Sequence, residues 1–127
     1  MHRLVTAARA ARAYARARFS DFAVGAAVED EHGRVFTGCN IESASYGLTI
    51  CAERVAVFKA VSEGAGKLKH MALVADSETL VTPCGACRQI LWEFCGGGEL
   101  ILANLVGREE SVRIASLFPR PFDASLL

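Results

Sequence analysis

The chain lacks an excess of either charge: fourteen Lys and Arg stand against fourteen Asp and Glu in 127 residues. A protein that lives on nucleic acid is expected to show a basic field, so this balance argues against that class. No apolar run approaches the roughly 20 residues of a membrane span. There is no repeat, no low-complexity tract and no obvious linker. The length suits one domain, residues 1–127, against a usual size of about 100–200 residues. Acids are also missing from the first nineteen residues, which hold Arg3, Arg9, Arg12, Arg16 and Arg18. That composition matches a mitochondrial transit peptide. An ordinary amphipathic helix is the reading preferred here, with Arg9, Arg12 and Arg16 on one face and Leu4, Ala8, Ala11 and Ala15 on the other.

Hydrophobic residues make up 52% of the chain before its eleven glycines are counted. This exceeds the ~45–50% usual for soluble domains with glycine included, and is compatible with surface buried in an oligomer. Five cysteines are an odd number. With no signal peptide read ahead of them, disulfide scaffolding is disfavoured. Metal binding or catalysis in a reducing, cytoplasmic compartment is favoured instead.

Periodicity and turn signals predict strands over Phe22–Val28 and Val35–Ile41, joined by the charged loop "EDEHGR". A connecting loop over Ser43–Thr49 leads to a helix over Ile50–Glu63, stopped by "GAG". A strand over His70–Ala75, a helix over Gly85–Cys95 ended by three glycines, and a strand over Glu99–Leu105 follow. One more short element is expected in Ser111–Leu127. A hairpin followed by alternating helices and strands implies an α/β fold: a mixed sheet, about five-stranded, covered by helices as a three-layer α-β-α sandwich.

Three cysteines stand out by position. Cys51 opens one predicted helix, and Cys84 and Cys87 open another in "PCGAC". Helix N-termini expose unpaired N–H groups and a partial positive charge, which favour thiolates. Three thiolates with one open position are the catalytic form of a tetrahedral zinc site. A lone C-x-x-C is also half of a zinc knuckle or a redox dithiol, but no second pair exists, because Cys39 and Cys95 are isolated. Glu53 lies two residues past Cys51, about 200° round a helix of 3.6 residues per turn, so it is no convenient second ligand from that face. A carboxylate beside a metal can take a proton from water and later give one to a leaving group. The plainer reading of Glu53 is an acid complementing the helix dipole.

"CAE" followed by "PCGAC" resembles the zinc nucleobase deaminases, whose signature is His or Cys, x, Glu, then Pro-Cys-x-x-Cys. "FAVGAAV", "GCNIESASYGLTICAER" and "PCGACRQILWEF" narrow the resemblance to the cytidine deaminases of free nucleosides, specifically the short, all-cysteine, homotetrameric kind. The likeness covers roughly residues 15–122. It implies that Cys51, Cys84 and Cys87 bind Zn²⁺, that Glu53 shuttles the proton, and that cytidine and deoxycytidine are hydrolysed to uridine and deoxyuridine with release of ammonia. No organic cofactor is implied.

Three thiolates leave a Zn²⁺ centre with net negative charge, and Arg54, three residues after Cys51, is placed to offset it through the sulfurs. Asn40 and Glu42, two apart, point to one face if the strand persists. The resemblance gives that pair the ribose hydroxyls. It gives Phe22 the flat base, with plain core as the competing reading. It gives the backbone at Ala52 and Thr82 the base edge, and Phe122 a neighbouring subunit's site. Two positions depart from the family pattern: "SLFP" carries Phe118 where relatives have leucine, and Phe19 stands where they commonly have tyrosine. Cys39, Cys95, His2, His32 and His70 receive no role. Rival readings are a polynucleotide deaminase, for which the Arg9/Arg12/Arg16 face is the only basic track; a deaminase of nucleoside antibiotics, which should lack the ribose pair; and a non-enzymatic zinc or redox module.

Overall fold

The computed structural model describes residues 2–127. Small residues set how closely its layers approach. Helix α1 (His2–Arg12) buries Leu4 and Ala8, one helical turn apart, against strand β1 (Val24–Asp30). It lies so near that a Cβ on Gly25 would sit 1.9 Å from the Ala8 carbonyl oxygen. Strand β2 (Val35–Cys39) meets helix α2 (Ala52–Ser62) in the same way on the opposite face, where a Cβ on Gly38 would fall 2.5 Å from Ala52 O. Gly38 pairs with Ala26, the residue after Gly25, so adjacent positions of the pleat admit one helix to each face.

Strand β3 (Leu68–Ala75), helix α3 (Gly85–Cys95), strand β4 (Glu99–Ala103) and strand β5 (Glu109–Arg113) complete the chain's regular elements. The sheet order is β2-β1-β3-β4-β5, with β3 and β4 parallel and the other neighbours antiparallel. One face carries α2 and α3 over a core that includes Ala26, Val28, Leu73, Leu91 and Leu100. The other carries α1 over Ala27, Ala72, Val74 and Ile101. The expected three-layer α-β-α arrangement with a mixed five-stranded sheet is therefore present. No helix among the described residues is long and apolar enough to cross a membrane.

Several boundaries differ from expectation. Helix α1 stops at Arg12 and does not carry Arg16 on its face, because Arg16 pairs with Ile41: its N–H donates to Asn40 O at 2.9 Å and its carbonyl accepts from Glu42 N at 2.9 Å. Pairing has overridden helix propensity there. Strand β1 begins at Val24, leaving Phe22 outside the sheet and 37% exposed, so it is not core. Strand β2 ends at Cys39, but Ile41 bridges Ile50, so the backbone stays extended past the sheet. The final strand lies at Glu109–Arg113, earlier than expected, and is followed by short 3-10 turns at Ile114–Leu117 and Ala124–Leu126.

Candidate active site

Where β1 begins and β2 and β3 end, the N-termini of α2 and α3 meet. Cys51 caps α2 and Cys84 caps α3, both with extended backbone and neither with a side-chain capping bond. Their sulfurs are left free to face each other, at 3.9 Å. Cys87 sits three residues after the α3 cap, on the same helix face as Cys84 and fully buried. The three sulfurs lie within 4.8 Å of one another. Tetrahedral zinc with Zn–S near 2.3 Å puts thiolate sulfurs ~3.8 Å apart, so the donor set and its spacing fit that ion.

The contact with the Cys87 thiol, and then the Arg54 guanidinium, pull the Cys51 thiol well below its usual range. The same contact, with burial and the nearby Glu53, pushes Cys87 up. Arg54 Nη2 donates to Cys51 Sγ at 3.5 Å, while its Nε is buried without a partner. Glu53 is 5% exposed, and burial raises its carboxyl from 4.5 to about 7. A buried acid poised near neutrality beside a thiolate cluster suits proton transfer in both directions.

Cys51, Cys84 and Glu53 open onto a cavity of about 250 Å³, which neither Cys87 nor Arg54 lines. Its walls include Phe22, Val24, Leu73 and Val81 as apolar surface, and Asn40, Glu42, Thr49, Thr82 and Glu53 as polar groups. Ligand clefts usually run from about 300 to 1,000 Å³, and this one lies just under that range, a size for a small ligand only. Of the residues the sequence singles out, Cys51, Cys84, Glu53, Phe22, Asn40, Glu42, Ala52 and Thr82 all line it. Phe122 does not: it is exposed near the C-terminus, and its carbonyl accepts from Gln89 Nε2 at 2.9 Å.

Asn40 and Glu42 are already held by the protein. Asn40 Oδ1 accepts from Val24 N at 2.9 Å, and its Nδ2 donates to Phe22 O at 2.8 Å, a clip that fixes the start of β1. Glu42 Oε1 accepts from the N–H groups of Phe19 and Ser20 at 2.9 and 3.0 Å, and Oε2 accepts from the Ser20 hydroxyl. Ser20's hydroxyl and these two N–H groups hold the Glu42 carboxyl below its ordinary range, so it stands as a carboxylate. Ser20 and Thr49 are cavity residues that sequence reasoning passed over, and nothing in their local pattern distinguishes them from turn residues.

Comparison with known proteins agrees with this geometry. The profile of the family "Cytidine and deoxycytidylate deaminase zinc-binding region" matches residues 1–102. A cytidine deaminase of Sporosarcina psychrophila is 46% identical over 123 residues, covering 96% of this chain and 90% of its own. One from Halalkalibacterium halodurans is 46% identical over 122 residues, covering 95% and 92%. The crystal structure of cytidine deaminase from Burkholderia pseudomallei superposes with a TM-score of 0.92 at 43% identity, covering 95% of this chain and 98% of that one. The chain belongs to the zinc-binding cytidine and deoxycytidylate deaminase family.

Proposed function

We propose that this protein is a zinc-dependent hydrolase that deaminates free cytidine and deoxycytidine to uridine and deoxyuridine with release of ammonia. The observation that carries this reading is the trio of thiols at two helix N-termini beside a buried, near-neutral Glu53, with Cys51, Cys84 and Glu53 lining one small cavity. Cys51, Cys84 and Cys87 would hold the zinc. Bound there, the ion supplies Lewis-acid chemistry, acidifying water for attack on C4 of the base.

The chain's own residues do the rest. Glu53 takes a proton from water and delivers it to N3 of the ring; once the hydroxyl has added to C4, Glu53 takes the hydroxyl proton and passes it to the amino group, which leaves as ammonia as the C4 carbonyl forms. Arg54 draws charge from Cys51 and keeps the sulfur cluster from becoming too electron-rich. Phe22 and Val81 give the flat base an apolar slot, with backbone at Ala52 and Thr82 on its edge. The Glu42 carboxylate and Asn40 receive the ribose hydroxyls, in keeping with the bonds that already orient both side chains.

No Lys or Arg lines the cavity, while two carboxyl groups do, so a free nucleoside suits it better than a nucleotide or a polynucleotide. We read residues 1–127 as a single domain, since one sheet carries every element of the site. The exposed Tyr14, Ile41, Tyr46, Leu48, Phe58 and Val61 support a homotetramer. Phe122 would then complete a neighbour's cavity. Five free thiols suit the cytoplasm.

The test is loss of cytosine absorbance when purified protein meets cytidine, with zinc counted per chain. Turnover of cytidine but not of CMP, with about one zinc bound per chain, is the expected outcome. A zinc-loaded protein inert towards cytidine and deoxycytidine would sink the reading.

A further inference from the structure

Arg88 stands four residues after Cys84, and its backbone N–H donates to Cys84 O at 2.9 Å. Helical side chains lean towards their helix's N-terminus, so its guanidinium reaches back over the turn that leads into α3. Each of its three nitrogens finds a different residue. Nε donates to Pro83 O at 2.8 Å, Nη2 to Thr82 Oγ1 at 3.1 Å, and Nη1 to Leu117 O at 3.0 Å. Thr82 and Cys84 both line the cavity.

The stretch needs such an anchor. Residues 76–84 form no helix or strand, and Pro83 has no N–H to give. Among the described residues, 79–83 make no backbone–backbone hydrogen bond outside regular elements, and the hydrogen bonds they do make come from Arg88. Leu80 and Pro83 are buried beneath this stretch, and among the described residues the hydrogen bonds that hold 79–83 come from one side chain. That side chain is in turn fastened to the 3-10 turn after β5.

We infer that Arg88 is the positioning residue of this wall: it holds Thr82 against the cavity and Cys84 against the other two sulfurs, and braces both on Leu117. The inference rests on the reading of Cys84 as a zinc ligand. A planar fork with five N–H donors can serve three acceptors at once; a lysine ammonium has the charge without the geometry. Two further bonds tie the tail to α3 without touching the turn: Gln89 Nε2 to Phe122 O, and Trp92 Nε1 to Asp123 Oδ2, each at 2.9 Å. They offer a control, because loosening the tail there leaves the turn alone.

The experiment measures the rate at which zinc-loaded protein surrenders its metal to a chromogenic chelator, alongside the melting temperature. Loss of a group that orients a metal ligand weakens metal affinity roughly 10–100-fold, so Arg88→Gln and Arg88→Lys should release zinc at least ~10-fold faster while staying folded. Thr82→Val should give a smaller acceleration and Thr82→Ser should restore the wild-type rate. Trp92→Phe should release zinc at the wild-type rate. A folded Arg88→Gln protein that keeps its zinc as long as wild type overturns the inference, as does a Trp92→Phe protein that loses zinc equally fast. If Arg88→Gln does not fold, Arg88→Lys and the Thr82 pair decide the matter by the same readout. A wild-type protein that binds no zinc would sink the metal-site reading itself, an outcome separate from either.

Discussion

Asp30 closes β1 at one end of the sheet, and Glu53 faces the cavity at the end where β1 begins; both acids are almost wholly buried. Their surroundings could hardly differ more. Asp30 Oδ1 accepts from the N–H groups of His32 and Arg34 at 3.0 and 2.9 Å, and Oδ2 accepts from Arg34 Nε and Gly66 N, both at 3.0 Å. Burial alone would raise its carboxyl, but these donors outweigh burial and bring it to about 2. Glu53 has no such set of donors, and burial prevails: the carboxyl rises to about 7. Burial does not decide what an acid becomes; the supply of fixed donors does. A carboxylate saturated with N–H groups is a structural clip. One left short of donors is suited to carrying protons, as in enzymes that keep paired carboxyls in unlike environments, and that is the role proposed for Glu53.

The sharpest way to break this comparison is to remove ionisation from each acid in turn. Glu53→Gln should lower kcat with cytidine by roughly 10²–10⁴, the usual worth of a general acid–base group. Its melting temperature should stay level or rise, because a reluctant buried charge has gone. A Glu53→Gln protein with ordinary turnover would end the proton-shuttle assignment.

The arginines nearby give the next largest contrast. Arg34 bonds its acid directly, whereas Arg54 donates to the Cys51 sulfur and not to Glu53. Arg54→Ala should therefore weaken zinc retention or kcat about 10–100-fold, the range for groups that tune metal ligands. Arg108→Ala, which removes an exposed bond to Glu78 O and no contact with a sulfur, should do neither. Equal zinc content and equal kinetics in the two variants would refute a role for Arg54.

At the far end the readout is stability. Asp30→Ala leaves three backbone N–H groups without their acceptor, in a turn where Glu31 and Lys67 also exchange hydrogen bonds. Its melting temperature should fall further than that of Glu110→Ala, an exposed acid on the edge strand β5. Zinc-loaded Asp30→Ala protein, assayed below its melting transition, should keep its turnover of cytidine.

How much of this was legible in the sequence follows from where each residue's partners lie along the chain. Helix α3 runs over the residues predicted for it, Gly85–Cys95, because its cysteine cap and glycine stop are local signals. The thiol trio and Glu53 were legible because a short spacing rule places them. Asp30 reads in the sequence only as part of a charged hairpin loop, because one donor that defines it comes from Gly66, 36 residues away. Arg88 was hidden for the same reason, since one of its acceptors is Leu117. The sequence predicts helix past Arg12 because alanine and arginine favour helix throughout residues 7–18, and the pairing of Arg16 with Ile41 overrides that preference. Asn40 and Glu42 were expected on one face if the strand persisted. They share the cavity although β2 has ended, since Ile41 finds new partners in Arg16 and Ile50.

The smallest expected effect is also the most direct test of charge at the Asp30 clip. Its folded carboxyl gives up its proton near pH 2, below the 3.8 of an ordinary aspartate. The unfolded chain thus takes up a proton first as pH falls. The clip's contribution is complete above about pH 4, declines below that, and is gone once pH has passed through about 2. Asp30→Asn keeps the shape and one carbonyl acceptor but cannot ionise. The gap in melting temperature between wild type and Asp30→Asn should therefore be flat from pH 7 to about pH 4 and narrow steadily below it. A gap that holds constant down to pH 2 would mean that the N–H groups around Asp30 need an acceptor and not a charge, and the contrast with Glu53 would then be one of hydrogen bonding alone.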